Sequence, residues 1–415
     1  MKVLHTSDWH LGQQFYEYDR RHEHLAFFTW LLATLVEQQI DLLLVAGDIY
    51  HTATPSASAE NQLYQFIKDA KKQCPNLHVV IIAGNHDSAN RILAAQPLLA
   101  QFDTHVVGRF EATAAADTVI TINTNKKCAV IVAMPFLRAS DVTTLSQTKS
   151  GPSYAQGVKK AYELALEHAA TLQSENTPLI VMGHLHAKGG DISSDSERNL
   201  VIGGEEAISA NVFGKQAHYV ALGHLHKAQQ VAKNECIRYS GTPIPMSFSE
   251  RNYSHQVNVV EFNSDEKQQI SVTVNPLYIP RLADVIVLPK GECVPLAELC
   301  EEIKALDTTA NTIAPYLRVK LKSSDTDTTF REQIEQALEG KHIRFCGIER
   351  VREQAANNEG GAVFEDLTEV EMLNPLNLLE QAFANDKDMH GESVPDALKN
   401  LLNDVINELE EQQQL

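Results

Sequence analysis

With 415 residues, 43% of them hydrophobic, the chain can bury one large core and still form one or two further domains. No apolar run approaches the roughly 20 residues that span a bilayer, and Met1-Lys2-Val3-Leu4-His5 enters a strand directly without a signal-peptide stretch, so a soluble, cytoplasmic protein with no membrane partner is expected. A net charge of −19 argues at first sight against a nucleic-acid ligand, whose affinity usually comes from Lys and Arg.

The first strand, Lys2 to His5, precedes a helix in which Leu25, Phe28, Leu32 and Leu35 recur at helical spacing. A second strand, Leu42 to Ala46, leads to a helix carrying Leu63, Phe66, Ile67 and Ala70, and then to a third strand, Val79 to Ala83. The runs Val130 to Ala133, Leu179 to Met182 and Tyr219 to Leu222 have the same continuous apolar character, which fits strands covered on both faces. From Cys236 strands follow in close succession (Cys236 to Tyr239, Val257 to Phe262, Ile270 to Val274), as expected of a second sheet packed on the first. The fold class is therefore α/β: a two-sheet sandwich flanked by helices over residues 1–276. Six scattered cysteines without a C-x-x-C pair read as reduced, buried thiols.

Residues 277–352 show a β-α-β-α-β run of their own, large enough for a small α+β domain, without a catalytic constellation; the resemblance given below implies that it is a capping domain. Residues 353–372 read as an acidic linker and 373–415 as C-terminal helices. The last helix carries Leu398, Leu401, Leu402, Val405, Ile406 and Leu409 as one apolar stripe, which either folds back on the chain or docks into a partner. Residues 353–415 hold 15 acidic side chains against two basic ones, so −13 of the −19 belongs to this tail. Bound divalent cations would offset part of the remainder, and a polyanionic substrate stays open.

Five of the buried strands end in the same kind of residue. Asp8-Trp9-His10, Gly47-Asp48, Gly84-Asn85-His86-Asp87, Gly183-His184-Leu185-His186 and Gly223-His224-Leu225-His226 each follow an apolar run. Ligands of α/β sheets bind outside the carboxyl ends of strands, so one rim collects carboxylates, an amide and several imidazoles. The glycines allow a sharp turn and keep bulk away from the rim. Mixed oxygen and imidazole donors suit Mn²⁺, Fe²⁺ or Zn²⁺. Seven or eight donors are too many for one such ion and fit two, a pair that clamps a phosphate and activates water. The chemistry expected is hydrolysis of a phosphate ester.

In this order the motifs resemble those of the calcineurin-like metallophosphoesterase superfamily, over about residues 1–260. The resemblance implies that Asp8, His10 and His226 hold a first metal and Asn85, His184 and His224 a second, with Asp48 bridging. His186 competes with His184, since both follow the form of the last motif. The resemblance also implies that His86 is the general acid or transition-state stabiliser and that Asp87 orients its imidazole. His5 and His218, inside apolar runs, read as core histidines.

Thr6-Ser7-Asp8-Trp9-His10-Leu11-Gly12, Gly47-Asp48-Ile49-Tyr50-His51, Tyr239-Ser240-Gly241-Thr242-Pro243 and Ser247-Phe248-Ser249-Glu250 are similar to one branch of that superfamily, the bacterial SbcD-type nuclease subunits. That likeness implies two Mn²⁺ ions, 3′→5′ exonuclease action on double-stranded DNA, and endonuclease action on single strands and hairpins in DNA repair, recombination and replication. It also implies an SbcC-type coiled-coil ATPase bound by the tail, and a homodimer of the nuclease subunit, with Phe27 and Trp30 as interface candidates against a core role for each. His51 is then either a residue that positions substrate phosphate or a polar residue at a helix start. The competing readings are a cytoplasmic phosphatase or cyclic-nucleotide phosphodiesterase, and a scaffold that has lost its chemistry.

Overall fold

A computed structural model describes residues 1–124, 127–145, 147–148, 151–191, 207–264, 269–308, 313–322, 329–351 and 398–399. The expected acidic linker at 353–372 and, but for residues 398–399, the expected tail helices at 373–415 lie outside the described residues.

The apolar runs become strands whose alternate residues feed different cores. The principal elements in chain order are β1 (Lys2–Thr6), α1 (Arg21–Glu37), β2 (Leu42–Ala46), α2 (Ala57–Gln73), β3 (His78–Ile82), β4 (Thr104–Val107), β5 (Val119–Thr124), β6 (Lys127–Ala133), α3 (Tyr154–Leu172), β7 (Leu179–His184), β8 (Tyr219–Gly223), β9 (Gln229–Val231), β10 (Asn234–Tyr239), β11 (Gln256–Ser264) and β12 (Ile270–Tyr278). They build two six-stranded sheets, ordered β12-β11-β1-β2-β3-β4 and β9-β10-β8-β7-β6-β5. β1 to β4 run parallel, as do β6, β7, β8 and β10, with antiparallel strands added at the edges.

On β2, Leu42, Leu44 and Ala46 face the second sheet, where they meet Ile131, Ile180, Met182, Tyr219 and Ala221. Leu43 and Val45 face the other way, against α1 and α2 through Phe28, Leu31, Leu63 and Phe66. The second sheet repeats the arrangement, with Val181, Val220 and Leu222 packed on α3 through Val158, Ala161 and Ala165. Four layers result, helix, sheet, sheet, helix, and each inner strand is covered on both faces.

Two expectations are corrected. The strands after Cys236 do not form the second sheet as a block: Asn234–Tyr239 joins it, but Gln256–Ser264 and Ile270–Tyr278 return to the first sheet beside β1, and the second sheet already begins at Val119. The stripe on α1 is also rephased, for the buried residues are Glu23, His24, Phe27, Phe28, Leu31, Thr34 and Leu35, while Leu25 is 41% exposed. This helix carries apolar residues on nearly every side, so its spacing admits several phases. Phe27 is a core residue, and Trp30 packs partly buried against the same cluster.

After β12 come β13 (Val285–Leu288), α4 (Leu296–Ala305), β14 (Tyr316–Lys322), α5 (Phe330–Leu338) and β15 (Arg344–Val351), with the strands in the order β13-β14-β15. By internal contacts the chain forms two units, one of Met1–Glu292, Ala297–Val319 and Thr329–Ile348, the other of Cys293–Leu296, Lys320–Thr328 and Glu349–Leu415. Within the first, Phe15 and Phe248 pack with Val285, Val287, Tyr316 and Cys346. Arg20, Glu23 and Tyr316 join beneath them: Arg20 makes a bidentate pair with Glu23, which accepts a hydrogen bond from the Tyr316 hydroxyl at 2.7 Å. All six cysteines are free, Cys300 and Cys346 buried and the other four half-buried. Among the described residues no helix is long and apolar enough to cross a membrane.

Candidate metal centre

Each motif begins where a buried strand runs out. Asp8, Asp48 and Asn85 follow β1, β2 and β3; His184 ends β7, and His224 follows β8. Asp8, His10, Asp48 and His224 have φ of 53°, 46°, 49° and 104°, a region that side chains other than glycine rarely adopt. Such strain persists only where the surroundings impose it. Here the loops hold one another: Asp8 N donates to Gly47 O and His10 N to Asp48 O, both at 3.0 Å, while His86 N donates to Asp48 Oδ1 at 2.9 Å and His224 N to Asp8 Oδ1 at 3.0 Å.

The glycines mostly supply room. Of the four that precede motifs only Gly47 has positive φ, at 89°. A Cβ on Gly84 would stand 2.1 Å from Asp48 Oδ1, and one on Gly223 1.9 Å from Ala46 O.

Three overlapping groups bring their donor atoms within 4.8 Å of one another: Asp8, His10 and His226; Asp8, Asp48 and His184; His10, His51 and His86. Asn85 joins them, its Oδ1 lying 3.0 Å from His184 Nε2 and 3.1 Å from His224 Nδ1. These groups take in His184 and not the half-buried His186.

The donors fit a divalent cation. His184 Nδ1 donates to Ala46 O at 2.9 Å, so the Nε2 lone pair faces Asn85 Oδ1 and, at 3.4 Å, Asp48 Oδ2. Three electron-rich atoms at that spacing need a proton or a cation between them. Burial works against charge on His184, but the Asp48 carboxylate raises its pKa to about 9. His10 makes the stronger case: both ring nitrogens are buried without a hydrogen-bond partner, and burial holds its pKa well below the usual value. An unsatisfied buried polar group costs roughly 1–3 kcal/mol, and coordination would satisfy it. Donors bonded at about 2.1 Å around one ion stand about 3.0–3.5 Å apart, close to the separations seen.

His86 lies at the mouth of this cluster, its ring 5.0 Å from that of His10 and stacked on His51 at 5.7 Å. His51 is not at a helix start, because α2 begins only at Ala57, capped by Ser56. The expected contact between Asp87 and the His86 imidazole is not formed. His86 Nδ1 donates instead to the His51 carbonyl at 2.8 Å. The Asp87 carboxylate accepts from the backbone N–H of Gly84, Tyr50 and Ile49 at 2.8, 2.9 and 3.1 Å. It is directed into the Asp48 loop, which it pins to the Asn85–His86 loop. Its pKa is pushed to about 7, first by burial and then by the Asp48 charge.

His5 is a core residue as expected, accepting from Tyr219 Oη at 2.9 Å and donating to Leu222 O at 3.1 Å. His218 is half-buried and accepts from Leu179 N at 3.1 Å. Three supporting side chains were not legible from spacing. The Ser7 hydroxyl donates to Asp8 Oδ2 and lies 2.8 Å from Ser240 Oγ, and Glu250 accepts from His226 Nδ1 at 2.8 Å. Glu250 is 24 residues from His226, and only its place in the Ser247–Glu250 stretch marked it.

The family of calcineurin-like phosphoesterases matches residues 1–228. A second family, described as the type 5 capsule protein repressor C-terminal domain, matches residues 281–387. The SbcD nuclease subunit of Rhodobacter capsulatus is 30% identical over 379 residues, 89% of this chain and 91% of that relative. The chain belongs to the SbcD family. The SbcD protein of Escherichia coli K12 is 31% identical over 359 residues, 85% of this chain and 86% of the relative. That of Bacillus subtilis is 31% identical over 273 residues, 64% and 68% of the two chains. Likeness to SbcD relatives therefore extends over the strand-end cluster and well past β12.

Proposed function

We propose that this chain is the nuclease subunit of an SbcCD-type complex, hydrolysing phosphodiester bonds of DNA at a pair of divalent cations, Mn²⁺ in the first instance. The observation that carries the chemistry is the strand-end rim, where His10 has no hydrogen-bond partner for either ring nitrogen and three lone-pair atoms of Asp48, Asn85 and His184 converge. In this reading Asp8, His10 and His226 hold one ion, Asn85, His184 and His224 the other, and Asp48 is shared. Such ions, when bound, polarise the phosphate and generate the nucleophile at neutral pH.

The protein's own groups do the rest. With Nδ1 committed to the His51 carbonyl, His86 uses Nε2 to exchange a proton with the reacting phosphate. His51, stacked on His86, holds the substrate phosphate in place. Asp87 keeps the two loops that carry Asp48 and His86 in register.

The same proposal comprises 3′→5′ exonuclease action on double strands, endonuclease action on single strands and hairpins, a homodimer, a cytoplasmic location and roles in repair, recombination and replication. It assigns residues 1–276 to the phosphoesterase domain, 277–352 to the cap, 353–372 to a linker and 373–415 to binding an SbcC-type coiled-coil ATPase. Purified protein with Mn²⁺ and that ATPase should cleave hairpin DNA, and His86→Ala should not. No DNA cleavage beside efficient turnover of p-nitrophenyl phosphate would replace the nuclease by a phosphatase of the same superfamily.

A further inference from the structure

His226 has one ring nitrogen already engaged. Glu250, fully buried, lies 2.8 Å from His226 Nδ1, and an ionised carboxylate can only accept. A hydrogen on Nδ1, donated to Glu250, leaves the lone pair on Nε2, the tautomer a metal ligand requires. Glu250 is itself fixed, since its Oε2 accepts from Met246 N at 2.8 Å and lies 3.4 Å from Thr242 Oγ1. The segment around it is anchored in turn. The buried Arg20 guanidinium donates to Pro245 O, Gln13 donates to Met246 O at 3.2 Å, and the Phe248 ring packs 5.2 Å from Phe15. None of this is needed to satisfy a surface residue, for His226 is only 5% exposed.

We propose that Glu250 is a positioning residue: it fixes the tautomer and direction of His226 so that this imidazole completes the group formed with Asp8 and His10. The inference rests on the metal-centre reading above, and it adds a residue outside the strand-end motifs. Carboxylates that accept from a ligating histidine typically govern metal affinity by roughly ten- to a hundred-fold.

The test uses the full chain, labelled with ¹⁵N-histidine, and Glu250→Gln as the near-isosteric variant. In the metal-free protein the variant should keep the wild-type unfolding midpoint while the His226 Nδ1 resonance shifts. In calorimetric titration it should bind Mn²⁺ roughly ten- to a hundred-fold more weakly. In a His226→Ala background the same substitution should change Mn²⁺ affinity no further. An unshifted resonance with wild-type affinity overturns the proposal, as does a loss of affinity that persists without His226. If Glu250→Gln does not fold, Glu250→Asp, which keeps the charge and shortens the reach, carries the same comparison. Failure of the wild-type protein to bind any divalent cation would instead sink the metal-centre reading, while the metal-free resonance still reports on the Glu250–His226 pair.

Discussion

The two sheets of the sandwich bring different chemistry to one rim. The first supplies every oxygen donor, Asp8, Asp48 and Asn85, together with His10, His51 and His86; the second supplies only imidazoles, His184, His224 and His226. Neither half is a site alone. Asn85 Oδ1 stands between two histidines of the opposite sheet, and Asp8 accepts from the backbone of His224. The centre thus reads out the register between the layers, and the apolar residues that pack Leu44 and Ala46 against Ile180 and Tyr219 are as necessary to it as the donors.

Removing the charge that both halves share should have the largest effect. Asp48→Asn keeps the shape but takes away the one carboxylate oxygen within 4 Å of both His10 and His184 among the described residues. Hydrolysis should fall by at least about 10³-fold, since several kcal/mol of electrostatic stabilisation are lost at about 1.4 kcal/mol per decade. Calorimetry should show weakened Mn²⁺ binding in parallel. Retention of wild-type turnover would mean that the halves do not meet at Asp48.

His86 belongs to the first half, yet its predicted role is in the reaction rather than in holding the ion. His86→Ala should leave Mn²⁺ affinity near that of the wild type and lower kcat by about 10²–10⁴-fold. A loss of metal binding of the same size would move His86 into the ligand set beside His10.

How much of this was legible beforehand follows the same division. The strand ends announced their donors because continuous apolar runs followed by Asp-x-His, Gly-Asp, Gly-Asn-His or Gly-His are local patterns. Asp8, Asp48, His184 and His224 were found that way, and the structure brings them together. What depends on three-dimensional neighbours was not legible. The Asp87 carboxylate serves the Ile49–Tyr50 backbone, 37 residues away, rather than the adjacent imidazole. Residues 258–261 pair with residues 2–5 of β1, far away in the sequence, and no spacing rule reports that. The phase of α1 failed for a simpler reason: with Leu25, Phe27, Phe28, Trp30, Leu31 and Leu32 all apolar, only packing selects the buried side.

The register between the layers can be tested without replacing a donor. Gly223→Ala would place a methyl group 1.9 Å from Ala46 O on the first sheet and 2.9 Å from His184 Nδ1. Both contacts are with fixed groups, so the sheets must shift. Urea unfolding of the metal-free protein should show a loss of about 3 kcal/mol, the upper part of the range for overpacking, and Mn²⁺ affinity should fall with it. Gly291→Ala, where a Cβ would meet nothing within 4 Å, is the control and should be neutral. Equal stability of the two variants would break the argument that the layers are held at van der Waals contact here.

The smallest effect is expected from pH, acting through a histidine that joins the layers outside the donor set. His5, on β1, accepts from Tyr219 Oη and donates to Leu222 O, both on β8, and it is fully buried. Burial lowers its pKa from 6.5 to about 3, with the Arg238 charge acting in the same direction against the hydrogen bond to Leu222. Between those values the unfolded chain takes up a proton that the folded chain refuses. The stability present above pH 6.5 is therefore lost as the pH falls toward 3, at about 1.4 kcal/mol per unit from this group, or on the order of 2–3 kcal/mol by pH 4.5. His5→Gln can hydrogen-bond to both partners but cannot be protonated. Metal-free wild type and variant, unfolded in urea at a series of pH values, should diverge below pH 6.5, the variant showing the shallower loss. Identical slopes would mean that His5 is not where acid enters the interface between the sheets.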